Sequence, residues 1–117
     1  QTPRQVLKHY PFSKADSIQV DLYSSGKSIP LNRKQTIELA ENFYNLRKPA
    51  EAKSVRVTLG CYEPEYKVHF FRKSAEIAWL GLSLACRDFK SNLSSDYFEN
   101  YCDETFERLE KYFEKFE

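Results

Sequence analysis

The chain has 117 residues, of which 41% are hydrophobic and 30% charged, and its net charge is +1. That is the composition of a single globular domain spanning residues 1–117, and it excludes a disordered chain, which is poorer in aromatic and β-branched residues. Near-neutrality argues against a broad nucleic-acid surface, and no run of eighteen apolar residues reads as a membrane-spanning helix.

Residues 3–10 predict a short helix with Val6, Leu7 and Tyr10 on one side, stopped at Pro11. Residues 17–23 alternate cleanly, with Ile18, Val20 and Leu22 on one face and Gln19, Asp21 and Tyr23 on the other. That pattern predicts a half-buried strand, and residues 24–28 predict a turn. Asn32 is placed to cap a helix running to about residue 46, with Gln35 as the reciprocal member of a capping box and Leu31 as a staple. Ile37, Ala40, Phe43 and Tyr44 recur at helical spacing within it.

Val55, Val57 and Leu59 predict a second strand over residues 54–60, and Tyr66, Val68 and Phe70 a third. Lys73, Ser74 and Ala75 form the next turn. Residues 76–86 are nearly all apolar, and their hairpin context favours a long central strand over a buried helix. Ser94 or Ser95 caps a final helix ending near Phe116, with Phe98, Tyr101, Cys102, Phe106, Leu109, Tyr112, Phe113 and Phe116 as its apolar stripe. The order α-β-α-β-β-β-α, with the last three strands as a meander, predicts an α+β two-layer sandwich. Its antiparallel sheet has about four strands, with helices on one face.

Charge is unevenly spread. Residues 95–117 hold eight acids against three bases, net −5, while the remainder is +6. The acids of a C-terminal helix can simply face solvent, or they can form an acidic face for a basic partner.

Three cysteines allow at most one internal bridge. With the hairpin turn centred on Ser74, paired positions sum to about 148, which sets Cys86 opposite residue 62 and beside Cys61. A single bulge alters that register by one residue. A Cys61–Cys86 disulfide and two reduced thiols are both open readings. Cys102 reads as a small core residue.

The stretch Cys61-Tyr62-Glu63-Pro64, followed by Val68-x-Phe70, Ala78-Trp79-Leu80 and Cys86, resembles a pattern in uncharacterised small bacterial cell-envelope proteins. In these a Cys-x-x-Pro loop is followed by His-Gly, a hairpin, and a strand ending in Cys-x-x-Cys. The resemblance covers residues 61–86 and implies a hairpin with Cys61 facing Cys86. Tyr66 and Lys67 replace the His-Gly, and Ser83 replaces the first Cys of the pair. Only two of four potential ligands therefore remain, and the resemblance implies no metal site.

Other chemistry is excluded mainly by spacing. No cysteines stand as Cys-x2-4-Cys for zinc, or as Cys-x-x-Cys for thiol exchange. His69 falls on the sheet face opposite Val68 and Phe70, as a surface residue and not a catalytic base. Glu63 and Glu65 flank Pro64 as loop acids, without the cleft that a glycosidase pair requires. Three glycines provide no phosphate cradle, and Gly81 marks a bulge or a close backbone approach. Arg56, Lys67, Arg72 and Lys73, interleaved with Tyr62 and Phe71, are an incomplete version of an RNA-binding sheet face.

The expectation is a non-enzymatic domain with no cofactor, no metal and no nucleic-acid partner, binding a protein; an immunity- or inhibitor-like role is one version. Its binding residues are expected at Tyr62, Glu63, Glu65 and Tyr66, aided by the acidic C-terminal helix. The opening Gln1-Thr2-Pro3 fits a mature periplasmic or secreted protein, a lipoprotein, or an internal fragment. The alternative is a redox protein or enzyme using Cys61 and Cys86. The sequence sets no oligomeric state.

Overall fold

A computed structural model of the chain describes residues 3–44, 61–93 and 103–117. The elements in chain order are α1 (Pro3–Val6), β1 (Ser17–Leu22), β2 (Ser28–Pro30), α2 (Arg33–Tyr44), β3 (Tyr66–Arg72), β4 (Ala75–Ser83), β5 (Asp88–Ser91) and α3 (Asp103–Glu114). Among the described residues five strands form one antiparallel sheet in the order β2-β1-β3-β4-β5. Helices α2 and α3 pack against one face and against each other, giving the expected α+β two-layer arrangement.

Alternation decides which side chains go inside. Ile18, Val20 and Leu22 of β1, Tyr66, Val68 and Phe70 of β3, and Ala78, Leu80 and Leu82 of β4 are all buried. They meet Leu39, Ala40 and Phe43 of α2 and Phe106, Leu109, Tyr112 and Phe113 of α3. Rings meet within this core: Tyr66 stacks on Phe113 at 4.4 Å, and Phe12 meets Phe70 edge-on at 5.1 Å.

The α2 capping box forms as expected. The Asn32 amide donates to Gln35 Oε1 at 2.9 Å, and the Gln35 amide donates to Asn32 Oδ1 at 2.8 Å. Lys73 and Ser74 both carry the positive φ, 49° and 66°, of a two-residue type I′ turn. Next to it Phe71 pairs with Glu76 while Phe70 pairs with Ala78, leaving Ile77 as a bulge. The bulge brings the register to the predicted sum, as in Tyr66↔Leu82.

Several expectations change. The first helix ends at Val6, and the amides of Lys8 and His9 close tighter turns onto Gln5 and Val6. Two short strands, β2 and β5, are added. The apolar stretch leaves the sheet at Ser83, turns at 84–87 with Arg87 at φ 54°, and returns as β5. The central strand is β3, whose two edges pair with β1 and β4. On α2, Leu39 is buried where Ile37 was expected, and Ile37 is half-buried. The strand expected at 54–60, the caps at Ser94 or Ser95, and Cys102 lie outside the described residues.

Candidate binding site at the sheet end

The loop at residues 61–65 is pinned on three sides. A disulfide joins Cys61 to Cys86, with Cα atoms 5.7 Å apart, and so ties the loop to the β4–β5 turn. The Glu63 amide donates to the buried Ser83 hydroxyl at 3.0 Å. Glu65 extends β3 by one residue: its amide donates to the Leu82 carbonyl, and its own carbonyl accepts from the Tyr23 amide. The Glu65 carboxylate accepts from the Ala85 amide at 2.9 Å.

The end of α3 comes to the same place. Glu117 receives the Ser24 hydroxyl at 2.7 Å on one carboxylate oxygen and the Tyr66 hydroxyl at 2.9 Å on the other. Those two bonds, the serine's foremost, hold its carboxyl below the usual range. Burial, and then the bond and charge of Glu117, push the Tyr66 phenol up. Tyr23, Ser24, Pro64, Glu65, Tyr66 and Glu117 together line a shallow open pocket.

The four expected binding residues therefore part company. Tyr66 points into the core with 6% exposure and offers the pocket only its hydroxyl end. Glu65 is half-buried at the pocket wall, and Glu63 is exposed in the loop and does not line the pocket. Tyr62 folds back over the sheet face opposite α2 and α3. There it lies against Gly81, and the Lys90 ammonium sits 4.5 Å from its ring centre. Tyr23 and Ser24 had been assigned only to a strand end and a turn. The one sequence signal for them was an outward-facing tyrosine immediately before the turn.

Other side chains on that face pair with one another. Lys67 covers Trp79 at 4.6 Å. His69 is enclosed more than a solvated surface residue would be: Nε2 meets Asp21 Oδ2 at 2.8 Å and Nδ1 meets Glu76. With a carboxylate against each ring nitrogen, neither nitrogen faces open space where a substrate could reach it. The nearby Ser28 hydroxyl donates to Asp21 and not to the ring, which is the wrong order for an activated nucleophile. Among the described residues no three His, Cys, Asp or Glu side chains converge as metal ligands, and Asp21 and Glu76 lie on opposite nitrogens of the imidazole.

Comparison with protein-family models, curated proteins and solved structures gives no match. Function has to be read from the site alone.

Proposed function

We propose that this is a non-enzymatic binding domain that recognises a protein partner through the end of its sheet. The observation that carries this reading is convergence. The 61–65 loop, Tyr23 and Ser24 just past β1, and Glu117 just beyond α3 meet around one pocket. Tyr23, 53% exposed, stands at its edge. Pinned backbone and a rigid exposed ring lower the ordering cost of binding. Capture of a single partner, as by an immunity or inhibitor protein, is one form of this role. The disulfide favours a periplasmic, secreted or envelope-attached setting, in keeping with the resemblance of residues 61–86.

The test is a photo-crosslinking residue placed at Tyr23 in the producing cell, with Lys111 on the exposed side of α3 as control. A discrete protein adduct at position 23 and not at 111 is expected. Identical adduct patterns at the two positions would sink the reading.

A further inference from the structure

We infer that the sheet-end pocket receives one basic side chain of the partner, arginine in preference to lysine; the inference rests on the binding role proposed above. Charge is its first support. Glu65 and Glu117 both line the pocket, and neither has a basic partner among the described residues. Their hydrogen bonds come from an amide and two hydroxyls, which orient the carboxylates without neutralising them. The hydroxyl protons of Ser24 and Tyr66 are committed to Glu117, so these side chains turn acceptors, not donors, toward a ligand. An acidic side chain entering here meets two like charges, and an apolar one leaves them uncompensated.

Shape is the second support. Tyr23 and Pro64 give the pocket apolar walls beside the carboxylates. Tyr23 is the only large hydrophobic residue among those described that is mostly exposed. A guanidinium can lie on such a ring while its edge donates to carboxylate oxygens; a lysine ammonium meets the charge but lacks the planar fork. The same pocket thus provides the negative charge and the flat surface that arginine uses together.

The experiment is an NMR titration of 15N-labelled protein with acetyl-Gly-Arg-Gly-amide, and with the same peptide carrying lysine or the uncharged arginine isostere citrulline. Saturable amide shifts at Tyr23, Ser24, Glu65 and Tyr66 are expected with arginine, weaker binding with lysine, and none with citrulline. Glu117→Gln and Tyr23→Ser, whose spectra report their own folding, should each weaken arginine binding about three- to fivefold, as loss of one exposed contact implies. Equal shifts with citrulline, shifts mapping elsewhere, or unchanged binding in both variants overturn the inference. So does self-association through this pocket without peptide, which would make a second copy its occupant. If the peptide fails while the Tyr23 adduct still forms, the cation pocket falls and the binding role stands.

Discussion

The hydroxyl of Tyr66 donates to the carboxylate of Glu117 at 2.9 Å, joining positions 51 apart in the chain. The first residue of β3, whose own ring is stacked on Phe113, is thereby fastened to the segment that follows α3. Tyr66→Phe keeps the stack and deletes the bond. Stability should fall modestly, and the Glu117 carboxyl should move back toward its ordinary range. In a Glu117→Gln background the same change should cost less. A double-mutant cycle in urea checks the coupling, and equal losses in both backgrounds would show that the pair is not coupled.

The Cys61–Cys86 bridge spans 25 positions. A loop of that length stabilises by about 3 kcal/mol through restriction of the unfolded chain. Reduction, or Cys61→Ser with Cys86→Ser, should lower stability by about that amount and release the 61–65 loop first. Thiol titration in denaturant gives the direct reading. With three cysteines in the chain, one should react before reduction and three after it.

Gly81 has a steric reason to be glycine. A Cβ there would overlap the Tyr62 hydroxyl, while the ring carbon bearing it lies 3.5 Å away, an ordinary contact. Gly81→Ala should therefore destabilise by about 1–2 kcal/mol, as overpacking does, and displace Tyr62 from beneath Lys90. Adding Tyr62→Phe removes the clashing atom and should recover most of the loss. Stability measured for both variants decides it; no rescue would mean that the backbone, not Tyr62, resists the methyl group.

Local chemistry was legible in the sequence, and long-range assembly was not. The Asn32–Gln35 box follows from residue types three apart. The β3–β4 register matches the predicted sum only because the bulge at Ile77 offsets a turn tighter than the sequence suggested. Strand β2 has a single apolar residue, Ile29, between Ser28 and Pro30, too little for alternation to register. Strand β5 hides in the polar tail of an apolar run. The pairing of β1 with β3 unites segments separated by the whole of α2, and no local period encodes it. The pocket is illegible for the same reason: Tyr23, Glu65 and Glu117 share no spacing. The loop and the acidic helix were each singled out, but only the fold brings them together. Tyr66 shows the reverse error: its alternation with Val68 and Phe70 already put it on the inward face, and that reading prevails over the binding one.

Asp21 predicts the acid limb of stability. Burial disfavours its charge, but hydrogen bonds from Ser28, Gln19 and His69 outweigh that and hold its carboxyl below the ordinary value. The folded value thus lies below the unfolded one, near 4. Its contribution is complete above that pH and is lost as pH falls through the folded value. Asp21→Asn should be less stable than the parent at pH 7, with the gap closing below about pH 4. Urea midpoints across that range test the sign, and a gap that widens on acidification would refute it.

The alkaline limb belongs to the tyrosines. Burial is the largest cause of the raised phenols of Tyr62, Tyr66 and Tyr112. Tyr112 donates to the Gln35 carbonyl at 2.7 Å, tying α3 to the first turn of α2. A folded value above the unfolded one, about 10, means that the contribution is complete below pH 10 and is lost as pH rises through the folded value. Of the eight tyrosines, the buried ones should form phenolate only as the protein unfolds. Absorbance near 295 nm should then rise in two stages, the second coinciding with loss of far-ultraviolet circular dichroism. Tyr112→Phe should cost about 1 kcal/mol at neutral pH, the net worth of one hydrogen bond, and should shrink the second stage. A single smooth titration with the fold intact would mean that water reaches these phenols.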